Sequence, residues 1–333
     1  LVAHPSENDL LSKGASMKRI GNIYDQLCSI DNLILADSIA RKGKSKQTGV
    51  IEFDKNYDQN IADIYRELIT GTYRTSPYKH RTIYERKARE ISILPYRDRV
   101  VQHAIMNILE PMFVSVFTRD TYSCIKGRGV HLASKVLQKY MTDVECTMYC
   151  LKVDIRKFYP NVDNDILKTM LRKKIKDKEM LQLLDGIVDS ALGLPIGNYL
   201  SQYLSNFYLS YFDHWIKEEL KVRYYIRYAD DIVILHNDKN YLHRLFDRIT
   251  QYLYDNLKLS LKPNRGPFPT SLGIDFGGYV HYHTHVLMRK SIKQAFARAI
   301  KANRPKESIA SYLGWAKHCN SKNLIKKLIH EKL

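Results

Sequence analysis

The sequence predicts an α+β fold, and three observations lead there. Segments with apolar residues at helical spacing are interspersed with short segments of alternating polarity, without the regular strand–helix rhythm of a parallel sheet. Of 333 residues, 44% are hydrophobic and 26% charged, the balance of a folded globular chain. Two β-rich runs, KVRYYIRY and IVIL, are separated by a turn-sized gap, the signature of a hairpin.

The elements follow in order. Residues 1–16, LVAHPSENDLLSKGAS, are polar and aperiodic and read as a tag or flexible arm ahead of a native start at Met17. Residues 17–45 read as helix ending in the basic loop RKGKSK. Residues 57–70 place Ile61, Ile64, Tyr65, Leu68 and Ile69 on one helical face. Residues 80–94 alternate as a hairpin. From Asp98 to Phe117, Val101, Ile105, Ile108, Leu109 and Met112 recur at helical spacing, with a break predicted at Pro111. Then come a helix at 130–141, a strand at 147–155, helices at 164–175 and 177–192, and a long helix at 198–220. A hairpin at 222–236, a helix at 240–257, a hairpin at 272–288 and mostly helix over 291–332 complete the chain.

Composition narrows the function. No run of about 18 apolar residues occurs, so no membrane span or membrane partner is expected. No secretory h-region is visible near the N-terminus. Five cysteines, odd in number and without CxxC spacing, argue against a disulfide framework or zinc site and fit a reducing, cytoplasmic setting, with Cys146 and Cys150 beside an apolar strand reading as buried thiols. Lys and Arg number 53 against 35 Asp and Glu, a net charge of +18 that attracts polyanions. The excess is concentrated from Met288 onward, where twelve basic residues, among them Lys293, Arg298 and Lys301, face two acidic ones. Phosphate contact is the expectation for that region.

Three carboxylates stand out. In TMYCLKVDI, Cys150, Lys152 and Asp154 share one strand face, with Asp154 at its end. In the hairpin, Asp230 and Asp231 adjoin at the tip beside the apolar run from Ile232 to Leu235. Adjacent carboxylates repel, and a divalent cation relieves the repulsion. If the two strands pair, the Asp154 carboxylate comes within about 5 Å, giving a hard-oxygen cage suited to Mg²⁺. Two such ions about 3.5–4 Å apart can clamp the attacking and leaving oxygens of a phosphoryl transfer.

Here the chain resembles the reverse transcriptases, over nearly all of residues 17–333. YADD, from Tyr228 to Asp231, is similar to their YxDD box, and LKVDIRKFYPNVD, from Leu151 to Asp163, to their first aspartate motif. GLPIGNYLSQYLSN lies between them. The resemblance implies a right-hand polymerase: fingers with an N-terminal extension at 17–145, palm at 146–287 with a fingers helical segment near 164–195, and a basic helical thumb at 288–333. It implies catalytic Asp154, Asp230 and Asp231, with the Ile155 carbonyl as a further ligand to two Mg²⁺ ions, Mn²⁺ substituting. It implies nucleotide contacts from Lys87, Arg89, Tyr159 (the gate against a ribose 2′-hydroxyl), Ile196, Gly197, Gln202 and Lys262, which would protonate pyrophosphate. Gly277-Gly278-Tyr279 falls at the primer grip, although an aliphatic residue more often precedes that Gly-Tyr.

Within the family, Ile196-Gly197-Asn198 with Ser201-Gln202 resembles the enzymes of diversity-generating retroelements, found in bacteria, their phages and some archaea. RDRVVQHAIMNILEP, TYSCIKGRGVH and GWAKHCNSKNL are also similar to that group. This implies copying of template RNA into cDNA from dNTPs, with errors at template adenines, and a small basic oligomeric accessory protein. Many accurate members carry Gln where Ile196 stands, and Ile196 cannot hydrogen-bond near the nucleotide. Alternatives are a defence-associated or retron-like enzyme and a catalytically silent RNA-binding scaffold. His281, His283 and His285 alternate and would share a strand face, as a metal site or facing primer or solvent.

Overall fold

The protein is described from a computed structural model, which covers residues 19–84, 88–263 and 266–330. Fourteen α-helices and nine strands follow in chain order among these residues. They are α1 (Tyr24–Cys28), α2 (Ile30–Ala40), α3 (Thr48–Asp54), α4 (Tyr57–Ile69), β1 (Lys79–Tyr84), β2 (Ala88–Ile93), α5 (Tyr96–Val116) and α6 (Val130–Met141). Next are β3 (Tyr149–Asp154), α7 (Asn164–Arg172), α8 (Lys178–Val188), α9 (Tyr199–Tyr208), α10 (Ser210–His214), β4 (Tyr224–Tyr228), β5 (Asp231–His236) and α11 (Lys239–Leu257). β6 (Phe268–Pro269), β7 (Ile274–Phe276), β8 (Tyr279–His281), β9 (Val286–Met288), α12 (Lys290–Lys301), α13 (Lys306–Ala316) and α14 (Lys322–His330) close the chain. The class is α+β, as the sequence predicts.

The chain folds into two compact units interleaved in sequence. Among the described residues, the first comprises 19–84, 88–118, 156–215 and 253–259. Its centre is α5, whose Val100, Val101, Ala104, Ile105, Leu109 and Phe113 are fully buried. The buried Asn32 side chain donates to the Leu27 and Ala104 carbonyls, at 3.0 and 3.2 Å, tying α2 to α5. The break expected at Pro111 does not occur, and α5 runs through it. The lost hydrogen bond and ring clash cost about 3 kcal/mol. Burial of Leu109, Met112 and Phe113 around it, roughly 1.5–3 kcal/mol each, outweighs that. The single helix expected over 17–45 is divided at Ser29, whose hydroxyl accepts from the Asn32 amide (3.2 Å) as the cap of α2.

Among the described residues, the second unit comprises 119–155, 216–252, 260–263 and 266–330. Its four-stranded sheet has the order β4-β5-β3-β6, with every pairing antiparallel. On one face Cys150, Tyr224, Ile226, Val233 and Leu235 pack with Ala133, Leu137 and Met141 of α6 and with Ile274 and Phe276 of β7. The hairpin expected over 272–288 is instead a three-stranded sheet, β7-β8-β9, because Tyr282–His285 turns the chain a second time. The long helix expected over 198–220 ends at Tyr208, restarts as α10 and closes in a π-helical turn at Trp215–Glu219. Lys217 in that turn donates to the Val222 and Arg223 carbonyls (3.0 and 3.1 Å).

Candidate active site

The antiparallel register of β3 against β5 places Asp154 directly opposite Asp231. Asp230 lies between β4 and β5, in a turn with Ala229. Ala229 has φ +52°, the left-handed region that costs a Cβ-bearing residue about 1–2 kcal/mol. The buried Arg227 guanidinium holds this turn, donating to the Ala229 carbonyl (3.0 Å). Its own backbone is fixed in turn: the Arg227 amide donates to Asp120 O (2.9 Å), and the Tyr122 amide donates to Arg227 O (3.0 Å). The Ile155 amide donates to Asp230 O (3.4 Å), and a bridge from Ile155 to Leu261 leads directly to Lys262, whose amide donates to Asp154 O (2.9 Å). Backbone pairing therefore brings Asp154, Asp230, Asp231, Ile155 and Lys262 together.

The carboxylates are matched by ammonium groups. Lys262 Nζ pairs with Asp154, and Lys152 Nζ lies 3.2 Å from Asp231 Oδ2. Burial pushes the Asp231 carboxyl up to about 6; Lys152 opposes the rise, and Asp154 and Asp230 add to it. Its Oδ1 is buried without a hydrogen-bond partner. A buried polar atom left unsatisfied is costly, and a cation is a partner that would satisfy it. Among the described residues, no three acidic, histidine or cysteine side chains converge on one point closely enough to hold an ion as they stand. The donor set nevertheless fits a hard divalent cation: three carboxylates, one with an orphaned oxygen.

The remaining predicted residues fall into both units. Arg89 lies exposed on β2, while Lys87 is outside the described residues. The Tyr159 carbonyl accepts from the Leu194 amide (2.8 Å), and its hydroxyl lies 3.2 Å from Ser205 Oγ, three residues after Gln202 on α9. The Ile196 carbonyl accepts from the Ser92 amide (2.8 Å), seating β2 against the Ile196-Gly197 segment. Gly197 has φ +113°, and a Cβ there would come within 2.9 Å of Ile91 Cγ2 and of Ser92 O. These residues share the first unit with Arg89.

In the second unit, Gly277 and Gly278 (φ +57° and +88°) form the two-residue turn joining β7 to β8, the geometry that favours glycine in a tight hairpin. Tyr279 is fully buried. Its hydroxyl donates to the Trp315 carbonyl (3.0 Å), with His131 Nδ1 3.1 Å away. Lys293, Arg298 and Lys301 are exposed on α12, whose Phe296 and Ala299 are buried. The three histidines do not share a strand face. His281 ends β8 fully buried, with Ser134 Oγ 3.3 Å from its Nε2. His283 sits in the following turn, held by Thr270 Oγ1 and the Met141 carbonyl at 2.8 Å each, and His285 stacks on Tyr282. Sequence reasoning did not single out Arg227 or Lys152 as parts of the site. An arginine inside an apolar strand, next to the paired carboxylates, was the available signal.

The reverse transcriptase (RNA-dependent DNA polymerase) family profile matches residues 78–280. Protein YkfC of Escherichia coli is 29% identical over 122 residues, 35% of this chain and 32% of its own length. The group II intron-encoded protein LtrA of Lactococcus lactis is 27% identical over 130 residues, 38% of this chain and 21% of its own. The chain thus spans a fifth to a third of the length of these curated relatives. Among solved structures, telomerase from Candida albicans, in complex with a fragment of telomeric RNA, aligns with a TM-score of 0.50 at 10% identity. The alignment covers 79% of this chain and 58% of that one. The fold is that of the right-hand polymerases.

Proposed function

Because the chain belongs to the reverse transcriptase family, we propose that it is an RNA-directed DNA polymerase copying a template RNA into cDNA by nucleotidyl transfer. The observation that carries this reading is the register placing Asp154 opposite Asp231, with Asp230 in the adjoining turn. Asp154 and Asp230 would hold two divalent ions, Mg²⁺ by donor chemistry, with Asp231 in support. Bound there, the ions would lower the pKa of the primer 3′-hydroxyl and neutralise the departing pyrophosphate.

The protein's own groups do the rest. Lys262, which pairs with Asp154, would give a proton to the leaving pyrophosphate. Arg89 and Lys87 bind the incoming triphosphate, and Tyr159 excludes a ribose 2′-hydroxyl. Lys293, Arg298 and Lys301 hold the RNA/cDNA duplex through its phosphates. In right-hand terms, residues 17–145 are the fingers, 146–287 the palm and 288–333 the thumb.

The finer assignment is to a diversity-generating retroelement, error-prone at template adenines and acting in mutagenic retrohoming. It is supported by Ile196 in place of a hydrogen-bonding residue, and by Gly197, Ser201 and Gln202 around it. A small basic oligomeric protein would assist it in a bacterial cytoplasm. Among the described residues, no helix is long and apolar enough to cross a membrane.

The test is primer extension on a defined RNA with Mg²⁺ and four dNTPs, sequencing the cDNA beside an Asp230→Ala, Asp231→Ala control. Synthesis lost in the control, with errors concentrated at template adenines, is the expected result. Faithful synthesis would move the assignment to the defence or retron-like enzymes. No synthesis, even with accessory protein and native RNA, would leave an RNA-binding scaffold.

A further inference from the structure

Lys152 lies on β3, two residues before Asp154 and on the same face of the strand. Its ammonium sits 3.2 Å from Asp231 Oδ2 and also donates to the Asp275 carbonyl. Asp275 belongs to β7, next to the Phe276–Tyr279 pair that flanks the Gly277-Gly278 turn. The Asp275 carboxylate accepts from Arg289 Nε (2.6 Å), and the Arg289 amide donates to the Gly278 carbonyl (3.0 Å). A continuous run of polar contacts therefore links Asp231, Lys152, β7, Arg289 and the glycine turn. Of the two Asp231 oxygens, Oδ2 is committed to Lys152 and Oδ1 has no partner.

We propose that Lys152 is a positioning residue: it fixes the Asp231 carboxylate against β7, presents its second oxygen to a divalent cation, and couples the carboxylate site to the Gly277-Gly278 turn. The proposal rests on the polymerase reading of this site. Two consequences pull in opposite directions. Lys152 holds the carboxylate in one orientation, which favours turnover. Its positive charge also repels a cation bound alongside, which weakens metal binding. Removing the ammonium should tighten metal binding and slow the chemistry.

The experiment uses the full chain and Mn²⁺ as the probe. Free Mn²⁺ is counted by electron paramagnetic resonance in a titration without nucleic acid. Single-nucleotide incorporation is then measured at saturating Mn²⁺. For Lys152→Met, which preserves length without charge, the expected result is Mn²⁺ binding about tenfold tighter, with kcat down about tenfold and the dNTP KM little changed. Lys152→Arg should bring both values back toward wild type. Unchanged Mn²⁺ affinity in a folded Lys152→Met protein overturns the proposal. So does weaker binding accompanied by lower stability, which would mark Lys152 as ordinary structural support. If the Met variant does not fold, Lys152→Gln, which keeps a donor for the Asp275 carbonyl, decides on the same Mn²⁺ shift. A wild-type chain that binds Mn²⁺ but incorporates no nucleotide would refute the polymerase reading, while the shift in affinity would still judge Lys152.

Discussion

Replacing Gly278 with alanine should destabilise the protein through two separable effects. At φ +88° an alanine is strained whatever space surrounds it, by about 1–2 kcal/mol. The added Cβ would also run into Trp315 Cζ3 and lie 2.8 Å from its Cη2 and 3.0 Å from Ile292 Cδ1. Overpacking of that kind costs about 1–3 kcal/mol. The sum, about 2–5 kcal/mol, is a large part of the 5–15 kcal/mol typical of a folded domain. The Trp315 ring cannot retreat freely, because its centroid lies 5.3 Å from the Tyr279 ring and 5.4 Å from that of His131. Urea unfolding followed by circular dichroism measures the loss. Repeating Gly278→Ala in a Trp315→Leu background removes the Trp315 share of the steric part and leaves the backbone part and the approach to Ile292. The second cost should be smaller by about 1–3 kcal/mol, a coupling typical of residues in contact. Equal costs in the two backgrounds, or a wild-type cost below about 0.5 kcal/mol, would show that the close approach to Trp315 does not set the requirement for glycine.

Three further outcomes are expected. His281 is fully buried, and burial lowers its pKa from 6.5 to about 4, so the folded state holds it neutral. The unfolded chain protonates it below about 6.5, so its contribution is present above that pH and is lost as pH falls toward 4, by about 3 kcal/mol. His281→Gln should flatten the stability curve across that window, and an unchanged slope would contradict the assignment. Replacing Lys293, Arg298 and Lys301 together with alanine should weaken duplex binding evenly across sequences and reduce the slope of log K against log salt by about 2–3, as read by fluorescence anisotropy at several salt concentrations. A full slope would remove them from the duplex contact. Ile196→Gln should lower misincorporation at template adenines in sequenced cDNA, and an unaltered error spectrum would detach Ile196 from fidelity.

What the sequence made legible was local or carried by motif. The β3 strand and its terminal aspartate, the hairpin with its carboxylates at the tip, and α6 at 130–141 all followed from periodicity and turn chemistry. What escaped depended on contacts between distant segments. Pro111 reads as a break because propensity ignores the buried side chains on either side of it. The sheet formed by β7, β8 and β9 read as one hairpin because three-residue strands leave almost no alternation to detect. The three histidines alternate in sequence, but the Tyr282–His285 turn takes two of them off the strand. Lys152 and Arg227 carry no motif of their own. Their roles come from strand register and from the left-handed turn at Ala229, which appear only once β3, β4 and β5 are paired.

The sheet order has a bearing on how the protein can be made. β3, with its apolar Leu151 and Val153, is synthesised long before β5, and β6 comes later still. Until both partners emerge from the ribosome, β3 offers an unpaired row of amides and carbonyls that other chains can join. Among the described residues, its outer edge is finally covered by Phe268–Pro269, by the bridge from Ile155 to Leu261 and by the Lys262 amide on the Asp154 carbonyl. Pro269 has no amide hydrogen to donate, which discourages any further strand from adding at that border. A fragment ending before Leu261 would carry all three aspartates yet leave this edge bare, and it should aggregate more readily than the longer chain.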